Sequence, residues 1–112
     1  MKTYQQQNEV IYVAGKYRGK TEREVFDNII AARTVALKLW DRGYAVICPH
    51  TNSFFMGSML SDEQFIKGDL EIVSRCDAIY MLRGWQQSEG AVKELRRAVE
   101  LSMQVLYEEN DD

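Results

Sequence analysis

The chain has a single proline, a single histidine and only two cysteines among its 112 residues. Cys48 and Cys76 show no metal or redox spacing, so they read as reduced core thiols of a cytoplasmic protein. No apolar run approaches the roughly 20 residues that a membrane helix needs, and the opening 1–8 lacks the apolar core of a signal peptide. Positive charge is also short: 14 Lys and Arg stand against 17 Asp and Glu, for a net charge of -3 and a pI near 5.2. Duplex binders usually carry a basic patch or stripe, so that class is disfavoured, whereas a small anionic ligand needs only a few local donors. Neither a complete G-x-G-x-x-G nor a Walker pattern occurs, and no cofactor or metal site is expected.

What is present is an ordinary globular composition, 46% apolar and 28% charged, in a length that buries one core. Segments 1–8 and 108–112 are poor in apolar residues and are expected to fray. Glu9 to Ala14 is β-branched and aromatic and stops at Gly15, which predicts a buried strand and a glycine turn. Thr21 and Glu24 fit a capping box, and Val25, Ile29, Ala32, Ala36 and Leu39 repeat at helical spacing until Gly43. Tyr44 to Cys48 reads as a second strand ended by Pro49, while 49–60 carry no clear period, a loop long enough to suggest function. Ser61 and Gln64 form a second capping signal, after which Phe65, Asp69, Ile72 and Cys76 share one helical face. A third strand over Ala78 to Leu82, a third helix from Gly90 to about Ser102 and a fourth strand over Gln104 to Tyr107 follow. This alternation predicts one α/β domain: a three-layer α/β/α sandwich around a four- to five-stranded parallel sheet, Rossmann/flavodoxin-like.

Open parallel sheets hold ligands at the carboxyl ends of their strands, which singles out Gly15 to Gly19, the loop after Cys48, and Gly84 to Glu94. Gly15 and Gly19 permit close backbone approach, and Lys16 and Arg18 supply cations for an anionic group, although a solvated turn with two surface cations explains them as well. Ser88 can cap the third helix and also donate to an anion at its positive end, beside the amide of Gly90. Glu94 sits about one turn into that helix with its Cβ leaning towards the cleft, yet a helical glutamate more commonly pairs at the surface, here with Arg96 or Arg97. Asp69 falls on an apolar face, where an unpaired carboxylate is costly, so it is either tied to backbone or part of a site. Two carboxylates in one cleft, with proton affinities pushed apart by their surroundings, make an acid and a nucleophile. Tyr12 is either a core aromatic or the hydroxyl partner of such a carboxylate. Trp85, Phe54 and Phe55 can wall a flat ring or pack the core, and His50, following Pro49 at a strand end, is a candidate ligand contact.

These positions resemble the nucleoside 2-deoxyribosyltransferase superfamily: Ile11-Tyr12 in the first strand, Gly15-x-x-Arg18-Gly19 after it, Gly68-Asp69 in the second helix, Asp77-Ala78 entering the third strand, and Ser88-x-Gly90-Ala91-x-x-Glu94. The resemblance covers nearly the whole chain between its polar ends. Within it, Ala78 to Ser88 is similar to a small phage and bacterial branch of unknown function (DUF4406-like), and the Gly-x-x-Arg-Gly turn and the Ser before the Glu are similar to 2'-deoxynucleoside 5'-monophosphate N-glycosidases. The resemblance implies that Glu94 is the nucleophile attacking the anomeric carbon, that Tyr12 orients it, and that Asp69 is the acid assisting departure of the base. It implies a phosphate contact at Ser88, where the transferases carry an Asp that contacts a sugar hydroxyl; with Lys16, Arg18 and the amides of Gly19 and Gly90 this favours a 5'-monophosphate over a free nucleoside. Members are commonly dimers or larger, with partner residues closing the site, so a homodimer or higher homo-oligomer is expected.

The leading expectation is a nucleotide N-glycosidase or deoxyribosyltransferase acting on a small-molecule nucleotide or nucleoside, with neither duplex nucleic acid nor membrane as partner. The alternatives are a non-catalytic nucleotide or nucleotide-sugar binder using the same cleft, and a structural protein that inherited the fold without its site.

Overall fold

A computed structural model of the chain describes residues 8–52 and 60–111. Four strands, β1 (Val10–Ala14), β2 (Ala45–Ile47), β3 (Ala78–Met81) and β4 (Gln104–Tyr107), form one parallel sheet in the order β2-β1-β3-β4. Four helices accompany them: α1 (Glu22–Asp41), α2 (Pro49–Asn52), α3 (Asp62–Val73) and α4 (Glu89–Glu100). Tyr12 lies beside Ile47 on one side and Ile79 on the other, so β1 is an inner strand. Side chains alternate across the pleat. Ile11 and Val13 therefore join the core under α1, with Ala32, Val35, Ala36 and Leu39, while Tyr12 and Ala14 join the core under α3 and α4, with Val73, Ala91 and Ala98. The predicted three-layer, all-parallel, Rossmann/flavodoxin-like α/β fold is the one the chain adopts. The sheet grows one way from β1 to β2 and the other way to β3, so the switch point lies at the carboxyl ends of β1 and β3.

Both capping boxes form. Thr21 Oγ1 accepts from the Glu24 amide at 3.1 Å while Glu24 returns the bond to the Thr21 amide, and Ser61 and Gln64 repeat the exchange. Departures from the predicted elements have local causes. Residues 49–52 form a helical turn, too short to show a period, with Pro49 at the first helical position where its fixed φ is favourable. α3 ends at Val73, which leaves Cys76 in the turn before β3, its thiol donating to the Ile72 carbonyl at 3.2 Å. α4 stops at Glu100, and Ser102 completes the reversal in the left-handed region at φ 57°.

The closing segment corrects an expectation. Instead of fraying, Glu108–Asn110 forms a 3₁₀ turn, Arg42 holds Asp111 through bonds of 2.8 and 3.0 Å, and Tyr80 donates to the same carboxylate at 2.7 Å. Such contacts between distant parts of the chain leave no mark in local composition. The fraying expected of 1–7 and of Asp112, and the aromatic wall at Phe54 and Phe55, lie outside the described residues. No helix among the described residues is long and apolar enough to cross a membrane.

Candidate active site

Because position 12 of β1 faces the α3/α4 layer, Tyr12 is wholly enclosed there. Ser88 starts α4 by accepting from the Ala91 amide at 3.1 Å. Glu94, on the sheet-facing side of the same helix, is only 8% exposed, and its Oε2 accepts a hydrogen bond from the Tyr12 hydroxyl. Among the described residues it forms no ion pair with Arg96 or Arg97, and Arg97 donates instead to Ser74 Oγ at 3.0 Å. Asp69, half-buried on α3, makes no hydrogen bond or ion pair among the described residues, so the backbone tie that would have explained it away is missing.

The electrostatics follow from this enclosure. Burial pushes Glu94 up from 4.5 to about 8; the Tyr12 hydrogen bond opposes the rise and the negative charge of Asp69 adds to it. Burial raises Asp69 from 3.8 to about 6. Tyr12 is held well above its ordinary value by burial and then by the two carboxylates, so its hydroxyl keeps its proton and serves as a donor. Across the interval from about 6 to about 8 the carboxyl pair therefore retains one proton.

Glu94 and Asp69 line an open cleft of about 1190 Å³ at the carboxyl ends of the strands. Gly15, Lys16 and Arg18 reach it from the end of β1, His50 from the end of β2, and Ser88 and Gly90 from the start of α4. Eight of the predicted residues thus converge, with Tyr12 behind Glu94. Gly19 and Trp85 stand apart. A Cβ at Gly19 would collide with that of Glu24, so its small size serves the entry into α1. Trp85, half-buried, packs against the core beside Tyr107, ring centroids 6.1 Å apart. Gly15 has a packing duty too, since a Cβ there would lie 2.6 Å from Leu82 Cδ1.

The cations are already engaged. Arg18 pairs with Asp62 at the start of α3, both side chains well exposed, and Lys16 Nζ reaches Gln87 Oε1 at 3.4 Å. His50 is buried, and burial lowers its proton affinity. Its Nε2 stands 2.9 Å from the Lys16 carbonyl, which assigns the ring proton to that nitrogen, and its ring meets Tyr17 edge-on at 5.6 Å. His50 therefore clamps the turn after β1. Tyr17, Asp62, Lys67 and Gln87 also border the cleft without having been singled out. Gln87 and Tyr17 lay inside stretches already suspected, Gly84 to Glu94 and Gly15 to Gly19; nothing in the sequence marked Asp62 or Lys67.

A parallel open sheet with a tyrosine-braced carboxylate at its switch point makes this chain an α/β protein with an open cleft at the carboxyl ends of its strands. The chain belongs to the family described as Domain of unknown function (DUF4406), whose model matches residues 9–107. No curated protein matches it.

Proposed function

We propose that this protein cleaves the N-glycosidic bond of a (deoxy)nucleoside 5'-monophosphate, as a nucleotide N-glycosidase or deoxyribosyltransferase. The observation that carries the reading is the buried Glu94, braced by Tyr12, in a cleft that Asp69 also lines. In the reaction, Glu94 attacks the anomeric carbon as the bond to the base breaks; the bonding pair leaves with the base, and Asp69 gives it a proton. Water then attacks the glutamyl ester, losing its proton to Asp69, and Glu94 is freed with retention at the sugar carbon. A second base in place of water makes the reaction a transfer. The single proton that the two carboxyls share is the number this cycle needs. The phosphate is served by the first amides of α4, which lack acceptors within the helix, together with Lys16 and Arg18. Arg18 exchanges Asp62 for the phosphate, one exposed pair for another and nearly neutral in itself.

One observation favours the binder reading. Without ligand the proton prefers Glu94, at about 8, over Asp69, at about 6, the reverse of what attack requires. Incubation with a panel of deoxynucleoside and nucleoside 5'-monophosphates, followed by chromatography for free base, separates the two. Turnover lost in Glu94→Ala supports catalysis. Turnover equal in that variant refutes the nucleophile, and a rise in Tm with a nucleotide but no base release establishes the binder.

A further inference from the structure

The cleft is electrically two-ended. Lys16 and Arg18 enter it from the turn after β1, whereas Asp69 from α3 and Glu94 from α4 form a carboxyl wall. Glu94 is only 8% exposed and gives one oxygen to the Tyr12 hydroxyl; its Oε1, like both oxygens of Asp69, has no hydrogen-bond partner among the described residues. Among those residues no cation pairs with this wall either. Lys93 borders the cleft but pairs with Glu89 at 3.4 Å, Arg18 pairs with Asp62, and Arg97 donates to Ser74. Lys67 and Glu63 border it too, yet the groups that act on the Glu94 proton are Tyr12 and Asp69. His50, whose proton affinity burial lowers, is neutral at pH 7, while Tyr12 and Cys76 keep their protons. Unpaired buried charge is costly, and the protein alone avoids it by holding a proton on the carboxyl pair. A positive charge on the ligand serves the same end.

We propose, building on the glycosidic reading of this cleft, that its substrate is a 5'-monophosphate whose base is a cation, a ring such as a pyridinium in which the nitrogen bonded to the sugar carries the positive charge. Such a ligand is two-ended as the cleft is, with its phosphate at Lys16 and Arg18 and its charged ring against Asp69 and Glu94. The chemistry then balances without a general acid. On binding, the ring's charge favours the ionised form of Glu94, whose proton passes to water. As the Glu94 oxygen bonds to the anomeric carbon, the electron pair of the breaking C–N bond collapses on to the ring nitrogen, and the base leaves neutral with no proton to receive. Asp69 stays ionised through this step and takes the proton of the water that opens the glutamyl ester. A neutral base depends on the one-proton state of the pair, and it needs that proton on Asp69, at about 6, although Glu94, at about 8, holds it more firmly. A cationic base removes that conflict, because it uses the fully ionised pair.

Titration calorimetry of the full chain at about pH 7 tests the proposal with two probes: carbocyclic nicotinamide mononucleotide, which has no glycosidic bond to cleave, and its dihydro form, which keeps the phosphate but has an uncharged ring. The pyridinium should bind roughly tenfold more tightly or better. In buffers of different ionisation enthalpy it should also release more than about half a proton per site, and the dihydro form none, because Glu94 is largely protonated at that pH and a neighbouring cation ionises it. Glu94→Gln, which keeps an oxygen for Tyr12, should abolish the proton release, and Asp69→Asn should reduce the preference for the charged ring. Equal affinity for the two probes, or a preference without proton release, overturns the cationic substrate, and so does the absence of binding by either. Chromatography for free base keeps the parent reading separate. Adenine released from adenosine or deoxyadenosine 5'-monophosphate, with no preference for the pyridinium, sinks this inference alone. A preference for the pyridinium, with no nicotinamide released from nicotinamide mononucleotide itself, keeps the cationic ligand and overturns the glycosidic chemistry.

Discussion

Replacing Glu94 by Gln removes a titratable group from the floor of the cleft while keeping an oxygen for the Tyr12 hydroxyl to donate to. In the folded protein this carboxyl titrates at about 8, against 4.5 when free. Below 4.5 both the folded and unfolded chains hold the proton, and its contribution is fully present. Between 4.5 and about 8 only the folded chain holds it, so stability falls as pH rises through that window. At about 1.4 kcal/mol per pH unit the full loss amounts to roughly 5 kcal/mol, and water in the open cleft reduces it to a few kcal/mol. The Gln variant lacks this slope. Each kcal/mol moves Tm by roughly 4 °C in a chain of this length, so the variant should match the wild type at about pH 5 and exceed it by roughly 10 °C at about pH 9. Thermal unfolding followed by circular dichroism across that range provides the measurement. Parallel curves for the two proteins, with no divergence above neutrality, would show that Glu94 ionises freely and that the enclosed carboxyl is an error.

Turnover, where found, should follow a bell with limbs near 6 and 8, the limits of the one-proton state of Asp69 and Glu94; a profile flat across both limits would separate them from the chemistry. Tyr12→Phe strips Glu94 of its donor, so denaturant titration should show a loss of about 1–3 kcal/mol, and the upper limb should move to higher pH because the lost bond favoured the ionised form. Ser88→Ala removes the cap of α4, costing about 0.5–2 kcal/mol in urea unfolding; under the phosphate reading calorimetry should also show weaker binding of a 5'-monophosphate with little change for the free nucleoside. Gly84→Ala should lose about 1–2 kcal/mol from backbone conformation alone, since φ there is +84° and a Cβ would meet nothing within 4 Å; an unchanged urea midpoint would rule out that strain.

Much of the fold was legible because its signals are local. The β-branched run ending at Gly15 marked β1, the paired capping residues marked α1 and α3, and strict strand-helix alternation leaves a parallel sheet with helices on both faces as the natural solution. From that class alone a crevice at the strand ends follows, which is why Gly15, Lys16, Arg18, His50, Ser88, Gly90 and Glu94 could be gathered from the sequence, while Asp69 stood out as a carboxylate on an apolar face. Other candidates have packing duties that the sequence did not show: Gly19 is small to admit α1, and Trp85 packs against the core. The anchoring of Asp111 by Arg42 and Tyr80 had no periodic trace at all.

Periodicity and end signals by themselves determined the class of fold, the ends of the three long helices to within a few residues, and which side chains could stand at the mouth of the sheet. Only the tertiary structure decided the partner of Glu94. Its helical neighbour Arg97, three residues on, was the pairing that sequence distance favours, whereas the group that holds it, Tyr12, is 82 positions away. A repeat of 3.6 or 2 residues records that a face is apolar and not what covers it. The raised proton affinities of Glu94 and Asp69 arise from that covering, because they measure how much water the assembled layers exclude.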